Sequence, residues 1–207
     1  LNGQRLDKKE IKEIIGNIAN NSLTEVEIAF FVSAVYTRGM SLEETKYLTK
    51  SMIETGNTLK LRGKIADKHS IGGVAGNRTT PIVVSICSAA GLRIPKTSSR
   101  AITSAAGTAD VIESIAKVDF SIKEIKKIVN KTNACFVWGG SLGLAPVDDK
   151  IIKIERIANI DSTAQLLASI LSKKISVGSK HILIDIPYGR SAKVSKKEAE
   201  KLKRKFY

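Results

Sequence analysis

The chain has 207 residues, with 34 Lys and Arg against 20 Asp and Glu, a formal net charge of +14 and 43% hydrophobic side chains. That much apolar material excludes a disordered chain, and the length excludes a disulfide-stapled miniprotein. No run of about 18 apolar residues is present to cross a bilayer, and Cys87 and Cys135 have no pairing spacing, which points to a reducing, cytoplasmic setting.

Taken in chain order, residues 7–19 place Ile11, Ile14, Ile15 and Ile18 at helical spacing, and residues 24–38 repeat the pattern with Val26, Ile28, Phe30 and Val32. Ser41 with Glu44 is a capping box that opens a third helix, and Gly56 closes it. From residue 60 the texture changes. KLRGKIADKHS supplies an extended segment, TPIVVSICSAA a helix stopped by Gly91, and LRIPKTSS a strand. GTADVIESI follows as a helix, Ser121 and Glu124 cap another, and ACFVW is a strand. This strand–loop–helix alternation predicts a parallel sheet. Residues 149–178 are helical again, HILIDIP is an apolar strand, and a basic helix begins at Ser195.

The predicted class is therefore α/β, a small all-helical domain plus a mostly parallel α/β domain. Residues 1–60 and 148–179 form the first, and 61–147 and 180–207 the second, which is truncated at its C-terminus. A cleft between two such domains is a common small-molecule site. The opening LNGQRLDKKE resembles no leader and lacks Met, and KLKRKFY ends inside a helical stretch, so the chain reads as the central fragment of a longer one.

Charge follows the same division. The first 60 residues carry 8 basic and 8 acidic side chains, so the whole excess lies in residues 61–207. It suits nucleic acid, a membrane surface, substrate phosphate, or a merely solvated basic surface. Few aromatics and no helix-turn-helix or zinc-finger signature weigh against a nucleic-acid-binding module. Two isolated His and two Cys do not make a metal site.

Two segments carry the chemistry. In Asp67-Lys68-His69-Ser70-Ile71-Gly72-Gly73 the glycines permit close backbone approach, the helix that follows offers unpaired N–H groups, Lys68 adds a charge and Ser70 a donor. A plain Gly-rich turn is the alternative. In the segment from Thr97 to Thr108, five of the first eight side chains are hydroxyls, and Arg100 can clamp an oxyanion bidentately. A polar loop is the alternative here.

KHSIGGV and SSRAITSAAGT, with ASILSKK at 168–174 and GSKHILIDIPYG at 178–189, resemble the thymidine and pyrimidine nucleoside phosphorylase family over essentially the whole chain. SSRAITSAAGT and IDIPYGRSAKV look most like the family's archaeal branch that acts on AMP. The resemblance implies a nucleoside phosphorylase/phosphoribosyltransferase-like fold and a pentosyltransferase. In that reaction inorganic phosphate, the co-substrate, attacks C1′ of a nucleoside 5′-monophosphate and displaces the base. AMP gives adenine and ribose 1,5-bisphosphate. No cofactor, metal or membrane is implied, and the assembly is at least a homodimer, for which the apolar, uncharged face of residues 7–38 is the candidate surface.

Carried over by position, Lys68, Ser70 and Thr108 contact the attacking phosphate, with Thr79 and Ser98 as weaker matches. Gly73, Thr108 and the run Ser99, Arg100, Ala101, Ile102, Thr103, Ser104 match the nucleotide-binding loop. Ser169 matches a base-side position and Lys173 of the same segment joins the substrate-binding set. Lys193 matches a nucleotide contact, and His69 a base contact of the thymidine enzymes. Asp161 matches the proton donor that a departing purine needs, and a carboxyl serves near pH 7 only if burial or negative charge keeps it partly neutral. Its alternative role is the N-cap of the helix starting at Ser162. Two further enzyme readings stay open. A pyrimidine nucleoside phosphorylase is disfavoured because Arg156 needs a gap to align. An anthranilate phosphoribosyltransferase-like enzyme would need magnesium-binding carboxylates, and no acidic pair stands out for them.

Overall fold

The computed structural model describes residues 3–72, 74, 76, 78–100 and 106–206. It opens with three helices, α1 (Lys8–Ala19), α2 (Glu25–Arg38) and α3 (Leu42–Glu54). Strand β1 (Ala66–Ser70), α4 (Thr79–Ala89), β2 (Ile94–Ser98), α5 (Thr108–Glu113), α6 (Ile122–Thr132) and β3 (Ala134–Trp138) follow. After a short 3-10 turn come α7 (Pro146–Ala158), α8 (Thr163–Ser176), β4 (His181–Asp185) and α9 (Lys196–Phe206). The chain forms two compact units, Leu1–Asn57 with Gly143–Ser176, and Thr58–Leu142 with Val177–Tyr207.

The first unit is all helical. The isoleucine stripe of α1 places Ile11, Ile15 and Ile18 at 0% exposure against Val32, Leu48 and Ile151 from α2, α3 and α7. Local chemistry sets the helix starts: Asp7 with Glu10, Thr24 with Glu27 and Ser41 with Glu44 each form a full capping box. Glu44 does more than cap. Its carboxylate also accepts from the Leu6 N–H at 2.9 Å and pairs with Arg5. Burial alone would raise this carboxyl, but the hydrogen bonds from Leu6, Ser41 and Arg5 outweigh burial and hold it below its ordinary value.

Two features differ from the sequence reading. Helix α3 is capped by Thr55, and Gly56 serves another purpose: a Cβ there would lie 2.0 Å from the Leu144 carbonyl oxygen, so only glycine admits that strand of backbone. The helical stretch expected over 149–178 is two helices. The first starts earlier, with Pro146 in its first turn, and ends at Asn159 in the left-handed conformation (φ 52°).

The second unit is α/β. β1 pairs in parallel with β4, Ser70 opposite Asp185, and β2 pairs in parallel with β3, Ser98 opposite Trp138. The two pairs adjoin where Ile65 bridges Arg93. Parallel pairing brings all four strand ends, and the segments that leave β1 and β2, to one end of the unit. The strands are shorter than the sequence pattern suggests. β4 has exposed His181 and Leu183, so the apolar run HILIDIP is only partly covered in this chain.

Candidate active site

At the end of β1, Lys68 is 5% exposed, and its Nζ lies 2.7 Å from Asp185 Oδ2 and 3.1 Å from Thr80 Oγ1. Ser70 Oγ is buried with no hydrogen-bond partner among the described residues. Gly72 has φ 84°, a conformation that favours glycine, and α4 begins at Thr79 without a side-chain cap from Arg78. A cation, two hydroxyls and an uncapped helix start thus collect around one strand end, a set suited to an oxyanion. Gly73 lies outside the described residues.

Beneath them is a buried ionic layer. Asp67 accepts from its neighbour's backbone, Lys68 N–H, at 2.7 Å and from Thr97 Oγ1 at 3.3 Å, and sits 3.8 Å from Lys96 Nζ. Lys96 also donates to the Thr97 carbonyl. This layer ties β1 to β2 directly below both loops. Cys135 lies beside it, and burial together with the Asp67 charge pushes its thiol up to about 12, so it is no nucleophile.

At the end of β2, Ser98 Oγ accepts from the Ala109 N–H at 3.1 Å and so holds the start of α5, where Thr108 is the first residue. Arg100 is exposed, pairs with Glu113 at 2.7 Å and lies over the Trp138 ring. Ser99 follows the strand and is half-buried. Ala101, Ile102, Thr103 and Ser104 lie outside the described residues. His69 is half-buried within β1, whereas Thr79 and Lys193 are exposed, Lys193 in the loop after β4.

The helical unit gathers a different set. Ser169 and Lys173, one turn apart on α8, converge on one oxygen of Asp148, at 2.8 and 2.5 Å. Asp148 and Lys173 are almost fully buried. Burial pushes the neighbouring Asp149 carboxyl up against the opposing pull of Lys173, with the Asp148 charge adding to the rise. Burial alone would lower the Lys173 ammonium, but the two carboxylates raise it above its ordinary value. Asp148-Asp149 is the acidic pair that the reading of motifs passed over; one member is engaged by Ser169 and Lys173. Among the described residues no group of three or more His, Cys, Asp or Glu is placed to hold a metal ion.

The alternative role of Asp161, the N-cap, requires a correction. The N-cap of α8 is Ser162, whose Oγ accepts from the Gln165 N–H at 3.2 Å and donates to the Gln165 side chain at 2.8 Å. The signal was present in the sequence as Ser-Thr-Ala-Gln. Asp161 itself is exposed. A separate open pocket of about 360 Å³ in this unit, lined by Leu6, Ile14, Phe30, Phe31, Val35 and Met40 among others, holds none of the predicted site residues.

Residues 1–56 match the model of the glycosyl transferase family helical bundle domain, and residues 62–203 match that of the glycosyl transferase family a/b domain. The chain belongs to this glycosyl transferase family. Glycosyl transferase relatives include the AMP phosphorylase of Natronomonas pharaonis, 53% identical over 94% of this chain and 39% of the relative. Another is the AMP phosphorylase of Methanocaldococcus jannaschii, 52% identical over 100% of this chain and 41% of the relative. A protein of Maricaulis maris named as a candidate thymidine phosphorylase is 48% identical over 95% of the chain and 38% of the relative. The chain therefore spans about two fifths of the length of these relatives. Among solved structures, the anthranilate phosphoribosyltransferase of Thermus thermophilus superposes with a TM-score of 0.76 at 18% identity, covering 89% of this chain and 56% of that one, which establishes the shared fold.

Within this glycosyl transferase, sequence reasoning did not find Asp185, Thr80, Asp148, Glu113 or Trp138. Asp185 had a signal, as the one charge inside an otherwise apolar strand. The others are defined only by tertiary contact.

Proposed function

We propose that the complete protein is a phosphorolytic pentosyltransferase that acts on nucleoside 5′-monophosphates, converting AMP and phosphate to adenine and ribose 1,5-bisphosphate. The identity to archaeal AMP phosphorylases, 52–53% over nearly the whole chain, carries this reading. Two oxyanion-suited strand ends in one unit support it, because the reaction holds two phosphate groups. In this assignment Lys68, Ser70 and Thr108 bind the attacking phosphate, and the segment from Ser98 with Arg100 binds the nucleotide. Ser169 and Lys173 serve the base. A phosphate oxygen forms a bond to C1′ as the bond to the base nitrogen breaks, and the electron pair leaves into the purine ring. Asp161 supplies the proton that neutralises the departing base. We further assign the protein a homodimeric state, supported by Val26 and Phe30, 65% and 58% exposed on α2.

The test is phosphate-dependent release of base by the complete protein from AMP, CMP, UMP, adenosine and thymidine. Turnover of AMP with little turnover of adenosine is expected, and equal turnover of the two rejects a role for the 5′-phosphate. Asp161→Asn lowers kcat by about 10²–10⁴-fold with little change in KM for AMP; near-normal kcat removes Asp161 from the mechanism. The Maricaulis maris relative favours a second reading, thymidine phosphorolysis, which preferential turnover of thymidine would establish.

A further inference from the structure

Arg100 leaves β2 with its guanidinium already engaged on two sides. Its Cζ lies over the Trp138 ring, 4.6 Å from the centroid, and one of its nitrogens donates to Glu113 Oε1 at 2.7 Å. The ring is anchored from below. Trp138 ends β3 directly opposite Ser98 in the parallel register, so the ladder fixes it two residues from Arg100. Gly140 accepts the ring at close range: a Cβ there would fall 2.6 Å from ring atom Cζ2.

The two contacts differ in how they respond to an incoming anion. Attraction of the cation to the ring face does not consume its N–H donors, so a ring contact and an oxyanion contact are compatible. The Glu113 contact does occupy a donor nitrogen. Both partners of this ion pair are open to water, with side chains 43% and 42% exposed, and pairs of this kind shift an equilibrium by only about two- to fivefold. A phosphate bearing close to two charges, gripped by a bidentate fork, outcompetes such a carboxylate. Lys68 and Asp185 make the opposite arrangement. There the Lys68 side chain is 6% exposed, and removal of its carboxylate would strand a buried charge.

We propose that Trp138 is a positioning residue that holds the Arg100 guanidinium at the end of β2, and that Glu113 is its resident counter-ion, exchanged for the phosphate group of the nucleotide. The proposal rests on the assignment of Arg100 to the nucleotide. Glu113 then sets how much nucleotide is needed to load the site, and Trp138 keeps Arg100 in place while its partners exchange.

The experiment measures adenine release by the complete protein at saturating inorganic phosphate, with AMP varied. Glu113→Gln lowers KM for AMP about two- to fivefold with kcat unchanged. Trp138→Leu raises KM by a similar factor, again at constant kcat, and Trp138→Phe, which retains a ring, restores it. In an Arg100→Ala background neither Glu113→Gln nor Trp138→Leu has a further effect. A Glu113→Gln protein with unchanged or raised KM overturns the exchange. Equal effects of the Leu and Phe variants, or an effect on kcat alone, overturn the platform. Should Trp138→Leu fail to fold, the surface change Glu113→Gln and the isosteric Trp138→Phe decide the matter. If Arg100→Ala leaves KM for AMP unchanged, or the unaltered protein does not turn over AMP, the nucleotide assignment itself fails, a result distinct from failure of the exchange alone.

Discussion

In the helical unit the interior is an isoleucine-rich cluster, and the buried charges among the described residues, Glu44, Asp148, Glu155, Lys173 and Lys174, come from three different helices around it. In the α/β unit Asp67, Lys68 and Lys96 are each 5% exposed or less and lie on two neighbouring strands just below the loops. Desolvating charges is costly, and the attraction regained inside a protein often only balances that cost. Apolar burial needs no such compensation. The helical unit therefore sets its buried charges beside a large apolar cluster, while the strand-end region of the α/β unit depends more heavily on each charge finding its partner. The difference teaches where to look for chemistry: among the described residues the buried charges of the α/β unit all lie on the two strands whose ends would hold an oxyanion.

The sharpest way to break this contrast is Asp67→Ala. It leaves Lys96 buried without its carboxylate and removes the acceptor for Thr97, and destabilisation of about 3–5 kcal/mol in urea unfolding is expected. A loss below about 1 kcal/mol would mean that the buried ions matter little to stability. Gly56→Ala probes packing in the helical unit instead. With the Leu144 carbonyl in the way, overpacking costs about 1–3 kcal/mol, read as a lower urea midpoint at unchanged slope. The smallest effect is electrostatic. Glu44→Gln weakens the hydrogen bonds to Leu6 and Ser41, a loss of about 1 kcal/mol near neutral pH. Because the folded carboxyl lies below its ordinary value of 4.5, its contribution is full above that pH and disappears as pH falls through the folded value. The two proteins should thus converge in strong acid, and a gap that persists there would assign Glu44 a purely steric role.

Much of this was legible because it is local. The Ser41–Glu44 box, the isoleucine stripe of α1 and the strand–loop–helix rhythm of residues 60–138 each lie within a few residues, where periodicity and capping act. Both domain types predicted from them are present. What escaped spans the chain. Lys68 and Asp185 are 117 residues apart, and no spacing rule links them. Gly56 was read for its conformational freedom, but the constraint is a carbonyl brought close by tertiary packing. The start of α7 was placed late because its charged first turn, Asp148-Asp149, reads as solvent-facing until Lys173 and Ser169 are seen across from it. At α8, Asp161 drew the eye as a carboxylate, while the hydroxyl beside it makes the cap.

The division of the helical unit into two stretches of chain has a consequence for biosynthesis. Its core joins Ile11, Ile15 and Leu48 to Val147, Ile151 and Ala168, so the first three helices emerge with their isoleucine faces uncovered. Those faces wait for the stretch of another unit from Thr58 to Leu142 to be made before their partners arrive. Closure of that core is a long-range event, slow by its topology, and α1, α2 and α3 need protection from aggregation while they wait.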